Sequence, residues 1–218
     1  MDAKFWHERW ERNEIGFHQG EINSHLQSFW QKEHLEEGAL VFVPLCGKSL
    51  DMLWLRSEGY RVIGVEISAL AVEDFFRENN LEPERRQQGD FIRWEVDGLV
   101  ILQGDFFHLR AGDIAGVSAV YDRASLVALP REMRSRYTDH LASILTKGVN
   151  VLLVTLEYPQ DQMQGPPFSV EEPEVRQLYE TGYGIELCFE LDVLAENARF
   201  RERGLTRMVE KVFRLTPT

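Results

Sequence analysis

The sequence predicts an α/β domain with a mostly parallel sheet and helices on both faces, and three observations carry that expectation. Two short apolar runs, Leu40 to Pro44 and Arg61 to Val65, are rich in Val and Ile and lack strict alternation, as strands buried on both faces do. Between them, Ser49 to Glu58 places Leu50, Leu53, Trp54 and Ser57 at helical spacing, and Gly59 supplies a C-terminal stop. Two further apolar runs, Gly116 to Tyr121 and Asn150 to Leu156, flank a helix from Pro130 to Leu145 whose proline sits where a missing N–H does no harm.

The other elements follow in order. Residues 2 to 35 are charged and aromatic, and Phe5, Trp6 and Trp10 share one helical face, a pattern that serves either core packing or a lid over the carboxyl ends of the strands. Ala69 to Asn79 reads as a helix with Ser68 as its N-cap, and Leu81 to Gly89 as a polar loop. Phe91 to Trp94 and Leu99 to Leu102 flank the turn Glu95-Val96-Asp97-Gly98 as a hairpin. Tyr158 to Val170, with three prolines and a glycine, is a long loop suited to shaping a pocket, with Phe168 as a wall. Glu171 to Gly182 is helical; Tyr183 to Val193 and Leu205 to Leu215 are the last strands, separated by a basic loop with Arg199, Arg201 and Arg203. No repeat or linker interrupts the 218 residues, so one domain is expected.

Composition narrows the function classes. Against 24 basic residues stand 36 acidic ones, a net charge of −12 that repels nucleic acid and anionic membranes. Two cysteines, Cys46 and Cys188, form no disulfide framework and suit a reducing compartment. Neither a signal segment nor an apolar run of the ~20 residues that span a bilayer is evident, so a soluble cytoplasmic protein is expected.

The turn after the first strand carries the chemistry. Backbone N–H groups at Cys46-Gly47 are open to a ligand, and Glu66, at the tip of the second strand, can hold a ribose diol. Cys46 and Glu66 are 20 residues apart, the usual offset between a glycine turn and a ribose acid. The single glycine of P-L-C-G-K-S disfavours a pyrophosphate-bearing NAD or FAD, and a phosphate loop would need glycine where Phe42 stands. A cofactor with a ribose and no phosphate fits best, and S-adenosylmethionine is the common one.

The runs PLCGKSLDM and GYRVIGVEIS, with FWHERWERNEIGFHQ, GDFF, YDRASLVALP and GPPFSV, resemble the thiopurine S-methyltransferase family over nearly the whole chain. That resemblance implies a Rossmann-like class I methyltransferase, with a seven-stranded sheet, an antiparallel edge strand and an N-terminal helical lid over residues 1–35. It implies S-adenosylmethionine contacts from Trp10, Leu45, Gly47, Glu66, Asp105, Phe106 and Arg123, with Asp105 at the adenine amino group and Phe106 on the ring. Acceptor contacts are implied for Phe17, Arg123 and Arg199, the acceptor being a small thiol such as a thiopurine and the enzyme a monomer.

Arg123 follows the fourth strand, beside the reacting centre of an open parallel sheet. An arginine does not serve as a base; it can hold the cofactor carboxylate or stabilise an anionic acceptor, or pair with Asp122 or Glu66. No Cys–His or Asp–His pair stands out, His18 reads as structural, Cys46 as covered by the cofactor, and the six histidines lack metal-ligand spacing. The expected mechanism is therefore alignment plus electrostatic help from Arg123 and Arg199, without a strong base. Two rivals remain: methylation of selenium or tellurium species, and a non-catalytic binding protein on the same fold.

Overall fold

The computed structural model describes residues 3–123 and 125–218. Its elements run α1 (Ala3–Glu11), α2 (Ser24–Phe29), β1 (Leu40–Val43), α3 (Asp51–Ser57), β2 (Arg61–Glu66), α4 (Ala69–Glu78), β3 (Glu84–Gln88), β4 (Phe91–Val96) and β5 (Leu99–Gln103). They continue through β6 (Val117–Asp122), α5 (Ser125–Ala128), α6 (Arg131–Ile144), β7 (Asn150–Glu157), α7 (Glu172–Tyr179), β8 (Tyr183–Asp192), α8 (Ala198–Glu202) and β9 (Val209–Pro217).

Among the described residues, nine strands form one sheet in the order β3-β4-β5-β2-β1-β6-β7-β9-β8. The five central strands, β5 to β7 in that order, are mutually parallel. Antiparallel pairs complete both edges, β4 and β3 on one side and β9 and β8 on the other. The apolar runs that predicted β1 and β2 are buried on both faces. Phe42, Ile63 and Val65 meet Tyr137, Leu141 and Val175 of α6 and α7 on one side. Val41, Val43 and Val62 meet Leu26, Met52, Leu55 and Phe75 of α2, α3 and α4 on the other.

The seven-stranded expectation gives way to nine. Glu84 to Gln88, read as loop, is the edge strand β3, paired with β4 from Glu84↔Glu95 to Gln88↔Phe91. Its sequence, ERRQQ, has no apolar face because the strand is exposed along most of its length, so backbone pairing alone makes it a strand. Arg85 adds a guanidinium 3.7 Å from the Trp94 ring centre. The basic stretch after β8, also read as loop, contains the short helix α8, and the last strand starts at Val209 rather than Leu205.

Gly64 of β2 lets the turn after β1 settle onto the sheet. A Cβ there would lie 2.7 Å from Cys46 Sγ and 3.1 Å from Met52 Sδ. Gly64→Ala is accordingly expected to destabilise the protein by about 1–3 kcal/mol through overpacking. Urea unfolding checks this, and a variant as stable as the parent would show that the turn has room to move.

Candidate active site

The strand-to-helix crossover builds the centre of the site. Leu45 and Gly47 both have left-handed backbone, at φ +46 and +52. Glycine adopts that conformation freely, whereas for leucine it costs on the order of 1–3 kcal/mol, a strain typical of ligand-binding turns. The turn is pinned by Cys46 N–H donating to Val65 O at 3.0 Å. Gly47 N–H then donates to Glu66 Oε2 at 2.9 Å, and Ser68 N–H to Glu66 Oε1 at 2.7 Å. Glu66 is buried, and desolvation pushes its carboxyl up to about 6 despite the stabilising amides of Ser68, Gly47 and Ile67. Burial, reinforced by Glu66, also pushes the Cys46 thiol well up, which leaves it a poor nucleophile.

A cavity of about 320 Å³ opens beside this turn. Leu45, Cys46, Gly47 and Glu66 line it from the turn, and Val127, Val154, Leu156, Pro166, Pro167 and Met208 give it an apolar wall. Residues 6–19 lie across it. Trp10 is only 5% exposed, and a Cβ on Gly47 would approach its ring to 3.3 Å. Trp6 and Trp10 both meet Phe17 edge-on, at 5.6 and 5.5 Å between ring centres. Arg199 joins α8 to this segment by donating from Nη1 to Gly16 O at 2.8 Å.

Arg123 also borders the cavity. Neither partner expected from sequence engages it: Asp122 faces the other way, accepting from Tyr137 Oη at 2.6 Å and Ser125 N at 3.2 Å, and Glu66 is held by the turn amides. Its nearest carboxylate is instead buried Asp51, at 4.0 Å. Asp51 itself accepts from Asn23 N–H at 2.8 Å and Tyr121 Oη at 3.1 Å. His18 also borders the cavity. Burial chiefly, then Lys48 and Arg123 against the opposing Glu78, lowers its basicity and keeps the ring neutral around pH 7.

Of the residues singled out from sequence, Trp10, Phe17, Leu45, Gly47, Glu66, Arg123 and Arg199 all border this cavity. Asp105 and Phe106 do not. Asp105 caps the turn Phe106–His108 by accepting from Phe107 N–H at 2.9 Å, and Phe106 is buried 4.8 Å from the Tyr137 ring. Phe168 packs on Gly165, and Pro166 and Pro167, each following a cis peptide bond, form the wall in its place. Asn23, Thr155 and Glu210 were not anticipated; each is an isolated polar residue in an otherwise unremarked segment, and only the fold brings them to one cavity.

This arrangement suits a phosphate-free adenosyl cofactor. The buried carboxylate can hold a diol, the bare glycine lets the Trp10 ring seat against the turn, and the Trp10 face can meet a sulfonium. The family profile described as Thiopurine S-methyltransferase matches residues 1–218. The chain belongs to the thiopurine S-methyltransferase family. Among its relatives are the thiopurine S-methyltransferase of Nitrosospira multiformis, 51% identical over 215 residues with 99% of this chain and 98% of the relative covered, and that of Pseudomonas fluorescens strain Pf0-1, 49% identical with 99% of each covered. The fold is similar to that of a SAM-dependent methyltransferase from Anabaena variabilis, with a TM-score of 0.62, 14% identity and coverage of 99% and 95%. It is also similar to a magnesium protoporphyrin IX methyltransferase from Synechocystis solved with bound SAM, with a TM-score of 0.58, 17% identity and 97% of each chain covered.

The protein is thus an S-adenosylmethionine-dependent methyltransferase of this family with a Rossmann-like sheet, and the non-catalytic rival is set aside. Among the described residues, no helix is long and apolar enough to cross a membrane.

The raised Glu66 carboxyl links stability to pH. Its contribution is fully present below the unfolded value near 4.5 and is lost as pH rises through about 6, a swing of roughly 2 kcal/mol. Between pH 4.5 and 7, urea unfolding of the ligand-free protein should move by that amount in favour of Glu66→Gln. A pH-independent difference between the two would show that the carboxylate is not buried as described.

Proposed function

We propose that this methyltransferase acts on the sulfur of aromatic or heterocyclic thiols such as thiopurines, as a cytoplasmic monomeric domain with residues 1–35 closing over the site. The observation that carries the reading is one cavity joining an adenosyl-type turn to an apolar slot, with Arg123 on its border. No disulfide joins Cys46 and Cys188, which accords with a reducing compartment.

Bound S-adenosylmethionine supplies an electrophilic methyl group whose departing thioether needs no acid. Glu66 and the Gly47 turn hold the ribose end. Trp10 covers the methionyl end and helps exclude water, while Leu45 packs beside it. Phe17, Val127, Pro166 and Pro167 offer flat and apolar surfaces for an aromatic ring. Alignment of this kind can contribute roughly 7–11 kcal/mol. Arg123, with only 16% of its side chain exposed and, among the described residues, no carboxylate closer than 4.0 Å, keeps its charge available for an anionic sulfur. Arg199 stands at the mouth, where it can meet the outer edge of the acceptor. Asp105 and Phe106 would reach the adenine only by moving, so their assignment carries less than that of Glu66.

Arg123→Met should lower kcat/KM for a thiopurine by about 10²-fold or more, most strongly below the acceptor's own thiol ionisation. An unchanged rate across pH would remove Arg123 from the reaction, and turnover of selenite but of no aromatic thiol would overturn the substrate class. Glu66→Ala should weaken S-adenosylhomocysteine binding tenfold or more by calorimetry; equal affinity would put the ribose elsewhere.

A further inference from the structure

Two carboxylates line the cavity: Glu66, held by the turn amides, and Glu210 of β9. Glu210 stands opposite Leu156 of β7, and both border the cavity. His25 Nε2 pairs with Glu210 Oε2 at 2.8 Å. Among the described residues, Glu210 Oε1 has no hydrogen-bond partner. The His25 ring is itself buried, with Phe189 at 4.9 Å and Phe29 at 6.4 Å between ring centres.

Polar contacts link this pair to Arg123. Arg123 lies 4.0 Å from Asp51, which accepts from Asn23 N–H at 2.8 Å. Asn23 Oδ1 in turn caps α2 by accepting from His25 N–H at 3.0 Å and Leu26 N–H at 3.2 Å. One chain of polar contacts thus links the cation Arg123 to the carboxylate Glu210, and both border the same cavity.

We propose that Glu210, oriented by His25, is the proton acceptor of the methyl transfer when the acceptor is a heteroaromatic thione whose ring N–H adjoins the sulfur. This rests on the S-methylation reading above. In such a thione the sulfur is a poor nucleophile until the N–H proton leaves. As the N–H proton passes to Glu210, where His25 shares it, the N–H bonding pair becomes the C=N bond and the C=S π pair collapses onto sulfur as a thiolate. A lone pair of that sulfur then forms the new S–CH₃ bond while the electrons of the sulfonium–methyl bond leave with the thioether. Arg123 stabilises the negative charge on sulfur.

The other groups bordering the cavity serve this purpose less well. Cys46 is sealed beneath the turn, Lys48 is a cation paired with Glu78 at 2.8 Å, and His18 sits between the cations Lys48 and Arg123. The charged groups facing Glu210 are His25 from α2 and, across the cavity, Arg123, His18 and Arg199. Its neighbour Lys211 is engaged with Glu157 at 2.9 Å and Glu190 at 3.1 Å.

The test uses Glu210→Gln, which keeps size and hydrogen bonding, with His25→Asn and His18→Gln beside it. For a thiopurine, Glu210→Gln should lower kcat at least tenfold, and its rate should rise with pH as the free acceptor ionises, whereas the parent holds its rate below that point. A nitrothiophenol, already ionised at neutral pH, should be turned over within about threefold of the parent by the same variant. Ultraviolet spectra of the acceptor bound beside S-adenosylhomocysteine should show the anion in the parent and the neutral thione in Glu210→Gln. His25→Asn should shift the spectrum in the same direction by less. Unchanged cofactor affinity and melting temperature confirm that the variants are folded. An anionic spectrum retained in Glu210→Gln, or the pH effect arising in His18→Gln instead, overturns the assignment. If the parent neither binds nor methylates any thione while still binding cofactor, the substrate reading fails and Glu210 is not at issue.

Discussion

A single buried carboxylate organises this enzyme. Glu66 sits at the end of a strand in the middle of a parallel sheet, and its two oxygens accept from amides on opposite sides, Gly47 from the turn after β1 and Ser68 from the start of α4. Those contacts tie both halves of the crossover to one point. Burial makes the anion costly, and the amides offset only part of that cost, so the group is held near the edge of ionisation. A site with a carboxylate in that state is primed for a partner with hydroxyl donors. The left-handed Leu45 and Gly47 beside it follow from the same geometry, because the chain must turn sharply to leave those amides pointing inward.

The rest of the site is assembled onto that point by the N-terminal segment. Trp10 seats over Gly47, Phe17 stands edge-on to two tryptophans, and Gly16 accepts from Arg199, so one stretch touches the cofactor end, the acceptor slot and α8. Asn23 and His25 extend it, buttressing Asp51 behind Arg123 and pairing with Glu210. The segment thereby joins a cation and a carboxylate that border one cavity.

Residues that act through local sequence were legible. The apolar runs that became β1, β2, β6 and β7 needed only burial on both faces to be read, and the turn with its single glycine, the ribose acid and Arg123 all lie at strand tips whose place follows from strand order. Where local pattern was silent, reading failed. β3 has no apolar face because it is an exposed edge, and α8 is a short basic turn of helix with no buried residue of its own. Asp105 and Phe106 were placed by analogy with a fold rather than by their surroundings. Here the carboxylate caps its own turn and the ring joins the core.

By itself, then, the sequence determined the α/β class, the parallel centre of the sheet, the strand-to-helix turn and the family, because each rests on residues near one another along the chain. Tertiary structure alone decided the edge strand β3, the Asp51 neighbour of Arg123 and the pairing of His25 with Glu210. Those partners lie 72 and 185 positions apart. No periodicity or spacing encodes such a contact; it exists only once the sheet has brought the ends of β6, β7 and β9 under the N-terminal segment.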